Sequence, residues 1–329
     1  MAWLKGVRTD GFIKIDENVN FRGTVLGAGS GIISPYKANQ GYVDGTDGSN
    51  TYSGKSWEGA KKTIQAAITA QRADSDSKGD VIWIAPGHYT EALTGNLSNV
   101  MLIGATCGGV PEAVSIRPST GSAYTGEMVN AGFYGIEFRN SSGTNPSYAA
   151  INLTEMESSI IDNCVLNGAN LDGASKGILI GAETEGSWET MFNSKITNCQ
   201  FSTHTARTYQ FIYGIRIGKG NTHSGTRQFI QSEISGNRIY TNQHGIYLDT
   251  GASNNGGSSI SNNFISSNEN WGRVLHGIEF IQEDQLTMVT DNRIICNASG
   301  DAIINCQTGN ALHNVVSEGG VIDLIGWFE

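Results

Sequence analysis

The sequence predicts an all-β chain, a right-handed single-stranded parallel β-helix from about residue 41 to residue 329 with an N-terminal capping α-helix. Three observations predict it: a short motif that recurs at unequal intervals, an apolar strand that follows each recurrence, and an unusual composition. Among 329 residues glycine is the commonest at 43, about twice its ordinary frequency, whereas charged residues make up only 16%. With 5 prolines the chain lacks the Pro-Gly character of a linker, so the glycines are expected at turns.

The recurring motif occupies residues 161–166 (Ile-Asp-Asn-Cys-Val-Leu), 196–201 (Ile-Thr-Asn-Cys-Gln-Phe), 234–239 (Ile-Ser-Gly-Asn-Arg-Ile), 260–265 (Ile-Ser-Asn-Asn-Phe-Ile) and 289–294 (Val-Thr-Asp-Asn-Arg-Ile). In each, apolar residues five apart flank a small polar pair. An odd spacing breaks the two-residue period of a strand, as a corner between two short strands would. Asn tolerates left-handed backbone and hydrogen-bonds to neighbouring turns, so Asn163, Asn198, Asn237, Asn263 and Asn292, with Asn262 beside them, are expected to stack as a ladder at one corner.

A second strand follows, at residues 177–180 (Gly-Ile-Leu-Ile), 214–217 (Gly-Ile-Arg-Ile), 245–248 (Gly-Ile-Tyr-Leu) and 277–280 (Gly-Ile-Glu-Phe), with a looser copy at 300–304. The corner motifs start 35, 38, 26 and 29 residues apart, which reads as constant rungs joined by variable loops.

Upstream, residues 1–40 do not share the repeat and are expected to form an attachment arm or an extra cap. Residues 56–73 are expected to be the capping helix, with Ser56 as N-cap and Trp57, Ala60, Ile64, Ala67 and Ile68 at helical spacing. A solenoid end exposes apolar interior and unpaired strand edges, which such a helix covers. Residues 81–84 (Val-Ile-Trp-Ile) and 100–103 (Val-Met-Leu-Ile) read as the first buried rungs. Residues 321–329 are apolar for a chain terminus and are expected to be a C-terminal cap or a subunit interface.

The run at residues 42–50 (Tyr-Val-Asp-Gly-Thr-Asp-Gly-Ser-Asn), followed by Gly-Lys-Ser-Trp at 54–57, Thr-Ile-Gln-Ala-Ala-Ile at 63–68 and Gly-Asp-Val-Ile-Trp-Ile-Ala-Pro-Gly-His-Tyr-Thr-Glu at 79–91, resembles the entry segment of the pectate-lyase-like β-helix superfamily, as found in phage tailspikes and other virion proteins. The resemblance spans about 290 residues as a fold and is weak for activity, because this architecture hosts lyases, hydrolases, epimerases and non-enzymatic spikes.

The residues that would carry catalysis are few. Polysaccharide-cleaving β-helices resemble one another in clustering carboxylates on one solvent-facing sheet, and here the candidates are Asp249, Glu279, Glu283 and Asp284, with the loop acids Glu183, Glu185 and Glu189. Against the polygalacturonase pattern, residues 215–219 (Ile-Arg-Ile-Gly-Lys) only approximate its Arg-Ile-Lys motif, and the Asn-Thr-Asp, Asp-Asp and Gly-His-Gly motifs are absent. The histidines have no metal-ligand spacing and read as turn or loop residues, and the run Asp44, Asp47, Asn50 lacks the closing Glu of a calcium loop. Neither metal nor cofactor is expected. Trp188, Tyr209, Phe211 and Trp271 are candidates for glycan binding or a trimer interface, or for packing on their own loops.

A net charge of −10 argues against nucleic-acid binding, and no apolar run is long enough to span a membrane. Cys107, Cys164, Cys199, Cys296 and Cys306 are odd in number without Cys-x-x-Cys spacing and read as reduced, buried thiols. With no secretory signal at the N-terminus, synthesis in a host cytoplasm is expected. The expectation is therefore a phage virion structural protein: a rigid homotrimeric spike or capsid decoration, capsid favoured over tail, joined to the particle through residues 1–40 and in reach of host-surface polysaccharide. The competing expectation is a tailspike-type depolymerase, a lyase or hydrolase.

Overall fold

The computed structural model describes residues 39–73, 79–105, 113–140, 149–168, 176–181, 191–202, 211–218, 229–248, 256–267, 276–284, 286–296, 302–306, 310–318 and 321–325. Residues 1–38 of the arm expected at 1–40, and the final residues 326–329, lie outside them, whereas Gln40 is part of the first strand of the solenoid. From Asn39 onward the chain is one compact unit, a right-handed parallel β-helix whose coils each contribute to three faces.

Face one is a 10-stranded parallel sheet that begins with Gln40–Val43, Asp80–Ile84 and Val100–Gly104 and ends with Ala311–Leu312. Its register aligns Ile82, Leu102, Phe133, Ile161, Ile196, Ile234, Ile260, Val289 and Ala311 in one inward column. Every member but Ala311 is fully buried. Burial of one such aliphatic side chain is worth about 1.5–3 kcal/mol, so the column is a continuous source of stability along the axis. The first apolar residue of each corner motif is a member of this column, and the second begins face two, where Leu166, Phe201, Ile239, Ile265 and Ile294 align.

Between these faces the polar pair divides its labour. The first residue carries the positive φ: 51° at Asn163, 53° at Asn198, 68° at Gly236, 56° at Asn262 and 57° at Asp291. The second turns inward, and that position is held by Cys164, Cys199, Asn237, Asn263, Asn292 and Asn314, all buried. The Asn ladder therefore consists of Asn237, Asn263, Asn292 and Asn314. Asn163 and Asn198, assigned to it from sequence, sit one step earlier at the left-handed position, because Asn suits both roles and the motif does not distinguish them. Asn263, Asn292 and Asn314 each place Oδ1 to accept the backbone N–H and the side-chain amide of the preceding rung, and Asn237 Oδ1 accepts the backbone N–H of Cys199. For Asn263, both Asn237 N and Asn237 Nδ2 lie at 3.0 Å, and its own Nδ2 donates to Ile234 O at 2.9 Å.

A second ladder, of serines, lines the corner before face one. Ser159 N donates to Ser194 Oγ, Ser194 N to Ser232 Oγ and Ser232 N to Ser258 Oγ, at 3.0, 3.1 and 3.2 Å. Each serine stands two residues ahead of the apolar residue that opens the corner motif. Left-handed residues precede them too, including Asn193 at 47° and Gln231 at 49°.

The capping helix spans Ile64–Ala73, eight residues shorter at its start than the sequence suggests. Thr63 is the N-cap, its Oγ1 accepting Ala66 N at 3.2 Å. The Glu91 carboxylate accepts Ile64 N and Gln65 N at 2.8 and 2.9 Å, supplying the negative charge that a helix N-terminus favours. Ile64, Ala67 and Ile68 are buried against the first rungs, while Trp57 is 43% exposed and lies edge-on to Tyr42. Ser56 instead accepts Gly59 N in a turn. In the loop before it, Asp44 Oδ1 accepts Thr46 N and Asp47 N, and Asn50 Oδ1 accepts Lys62 N and Thr63 N, so these residues organise backbone.

At the far end, Val321–Ile325 pairs antiparallel with Asn314–Glu318 on face two, where every other pairing is parallel. Cys164, Cys199 and Cys296 are buried thiols, and Cys306 is a half-buried one.

Candidate functional site

Face three carries the Gly-Ile strands, Lys176–Ile180, Phe211–Ile217, the second half of Arg238–Leu248, and His276–Asp284. Ile178, Ile215, Ile246 and Ile278 align inward, as do Ile180, Ile217, Leu248 and Phe280. The glycine before each Ile lets the next rung approach closely. A Cβ on Gly245 would lie 2.5 Å from Gly277 O and against the Ile265 side chain. Outward positions therefore fall immediately before the Gly and between the two apolar residues. The first of these columns reads Lys176, Tyr213, His244, His276, and the second Leu179, Arg216, Tyr247, Glu279.

Six of these side chains form one cluster. Tyr213 stacks on His244 with ring centroids 4.8 Å apart and planes at 12°. Tyr247 packs against both, at 5.0 Å from each. The Arg216 guanidinium lies 5.2 Å from the Tyr213 ring and 5.6 Å from the Tyr247 ring, within cation–π range. His276 is 5.5 Å from His244. Glu279 closes the group, with Oε2 at 2.8 Å from His244 Nδ1 and 4.0 Å from His276 Nε2.

Burial, reinforced by the nearby charges of His276 and Arg216, lowers the pKa of His244 from 6.5 to about 4. At neutral pH the His244–Glu279 contact is thus no ion pair. His244 Nδ1 is buried and, although 2.8 Å from Glu279 Oε2, is not in hydrogen-bond geometry with it. The cluster combines ring faces, a fixed cation, a carboxylate and a neutral base, all on rigid rungs.

The sequence-derived candidates fare unequally. Glu279 belongs to this cluster. Its neighbour on the preceding rung is Tyr247, and Asp249, considered as its catalytic partner, lies outside the described residues. Glu283 and Asp284 fall on the same strand as Glu279, with side chains outside the described set. Trp188, Tyr209, Trp271 and the loop acids 183, 185 and 189 also lie outside it. Phe211 is fully buried, because it occupies an inward position of its strand, and this removes it as a glycan or interface contact. Tyr213, His244, Tyr247 and His276 escaped sequence reasoning, although a constant offset from the Gly-Ile motif marks them.

A separate polar network is buried on face two. Glu137, 2% exposed, accepts from Ser115, from Arg117 at 2.8 Å and from Asn167 at 2.5 Å. Burial raises its pKa, but these hydrogen bonds and the Arg117 charge outweigh burial, and the net shift is downward. All its partners are side chains of the same three rungs, so it clamps the stack.

No family model matches this chain, and no curated protein matches it. Solved structures do. The pectin methylesterase of Aspergillus niger superposes with a TM-score of 0.50 at 15% identity, over 90% of this chain and 86% of that one. YbhC of Escherichia coli superposes with a TM-score of 0.50 at 13% identity, over 90% and 80%. This chain therefore shares with them the right-handed parallel β-helix fold. At these identities the likeness defines the fold alone.

Proposed function

We propose that this chain is a phage virion surface protein whose rigid β-helix presents the face-three cluster to host-surface glycans. The observation that carries the glycan reading is the Tyr213–His244 stack with Tyr247, Arg216 and Glu279 around it: ring faces for the apolar side of a sugar, flanked by charged groups for its hydroxyls. The virion reading is supported by the entry-segment resemblance and by variable loops on constant rungs, which let a recognition surface change without disturbing the core. On this reading the protein assembles as a homotrimer on the particle, on the capsid in preference to the tail, with residues 1–40 as its attachment. Binding of purified protein to host capsular polysaccharide and lipopolysaccharide tests it. Tyr247→Ala is expected to weaken binding at least tenfold; unchanged binding defeats the assignment. Deleting residues 1–40 is expected to leave a folded solenoid that no longer joins particles, and retained incorporation defeats the attachment role.

The neutral His244 beside Glu279 favours one second reading, cleavage of a uronate-containing polysaccharide by β-elimination. A base removes the proton on the carbon next to the carboxylate, a cation such as Arg216 offsets the charge that develops, and the glycosidic oxygen departs with a proton from a nearby acid. Shortened chains with an unsaturated end, lost in His244→Ala and in Glu279→Ala, would replace the purely structural reading with this one.

A further inference from the structure

Face two bears a feature independent of that cluster. Its register places Gln200, Arg238, Phe264, Arg293 and Val315 in one outward column on successive rungs. The Phe264 ring is approached by both guanidiniums, with Arg238 Cζ 5.8 Å and Arg293 Cζ 5.6 Å from its centroid. Tyr240, two residues along the strand from Arg238, meets the same ring edge-on at 5.9 Å. Both arginines are exposed and Phe264 is half-buried. Two other described cations on outward positions pair with acids, Lys195 with Glu233 and Arg117 with Glu137, whereas Arg216 lies against the rings of Tyr213 and Tyr247. Among the described residues, neither Arg238 nor Arg293 forms an ion pair, and both guanidiniums meet the aromatic ring between them.

We propose that this arginine–phenylalanine–arginine column is a binding site for a sparsely charged acidic polysaccharide lying along the solenoid axis. Each guanidinium lies over the Phe264 ring within cation–π range, and its planar fork of donors suits the bidentate recognition of a carboxylate. The two cations stand two rungs apart, about 9.5 Å along the axis, with an apolar ring between. That spacing fits a polymer carrying a carboxylate on every second sugar, while Gln200 and Tyr240 flank the column with groups that hydrogen-bond to hydroxyls. A densely charged polyanion such as nucleic acid fits poorly. Two cations neutralise few phosphates, and the chain's net charge of −10 repels the rest.

The test uses the whole chain and a defined probe, an oligosaccharide of alternating glucuronate and N-acetylglucosamine, followed by calorimetry. Expected is binding that weakens as salt rises, that falls at least tenfold in Arg238→Gln/Arg293→Gln, and that falls to the same level when the probe's carboxyls are reduced to alcohols. Arg238→Lys/Arg293→Lys keeps the charge and loses the planar fork, and a drop of threefold or more is expected from it. Because these side chains are exposed, the melting curve should be unchanged. If the glutamine variant melts early, the lysine variant decides. The proposal is overturned if the wild-type chain ignores the probe at millimolar concentration, if a single-stranded oligonucleotide binds as well as the probe, or if both double variants bind like wild type. Loss in Arg216→Gln but not in the face-two variants would assign the acidic glycan to face three, overturning this site while leaving the other standing.

Discussion

Asn263 Nδ2 donates to Asn292 Oδ1 at 3.0 Å, and the same oxygen accepts Asn263 N at 3.0 Å, so one side-chain carbonyl serves both the backbone and the amide of the rung before it. Replacing Asn263 by Ala leaves Asn237 N and one hydrogen of Asn237 Nδ2 buried without partners. The expected loss is about 4 kcal/mol, since each unsatisfied buried group costs about 1–3 kcal/mol. Urea titration with a fluorescence readout measures it, and a loss below that of an ordinary surface substitution would refute the ladder's structural weight.

Cys199 holds the equivalent place two rungs from Asn263, but its thiol donates only weakly, to Thr197 O at 3.2 Å and Ile161 O at 3.6 Å. Its backbone N–H is already satisfied by Asn237 Oδ1 at 2.9 Å. Cys199→Ala should therefore cost about 1–2 kcal/mol, chiefly for lost packing. The informative quantity is the difference from Asn263→Ala in the same titration.

Gly245→Ala should be costly for a different reason. The added methyl meets the Gly277 carbonyl and the Ile265 side chain, and the carbonyl belongs to a paired rung that cannot retreat. An expected penalty of about 2–3 kcal/mol places this substitution among overpacked core changes. It should also weaken the glycan binding proposed for face three, because His244 is the adjoining residue, whereas Gly79→Ala, with nothing within 4 Å of the added atom, tests only the strain of its positive φ.

The His244 shift makes stability depend on pH. Its folded pKa, about 4, lies below the ordinary 6.5, so the unfolded chain takes up the proton first as pH falls. The associated stability is complete above pH 6.5 and is lost progressively down to about pH 4, by up to about 3 kcal/mol. Melting temperatures across that window should fall less in His244→Gln than in the wild type. Identical profiles would place the titration elsewhere.

Most of the architecture was legible because a solenoid writes its geometry as a repeat: the apolar pair of the corner motif and the Gly-Ile strand each correspond to a column of the core. What escaped was phase. Asn163 and Asn262 share a residue type with Asn263 but occupy the left-handed position, since the same chemistry permits both αL backbone and ladder hydrogen bonds. The serine ladder left a regular trace, at a fixed offset before Ile161, Ile196, Ile234 and Ile260, yet Ser is common enough in turns to pass unnoticed. The capping helix was drawn too long because Trp57 and Ala60 mimic helical spacing while the loop around Asn50 holds them otherwise. His244 and Tyr247 looked like isolated residues in the sequence; only stacking of consecutive rungs brings residues about thirty positions apart into contact, as with Tyr213 and His244.

The reversed strand Val321–Ile325 bears on assembly as well as on folding. A stack of parallel rungs is in principle open-ended, and another molecule arriving head to tail would find its edge a ready template for fibre growth. Here the last strand on face two presents hydrogen-bonding groups of opposite direction to every rung beneath it. A newcomer could not extend the parallel ladder in register on that face.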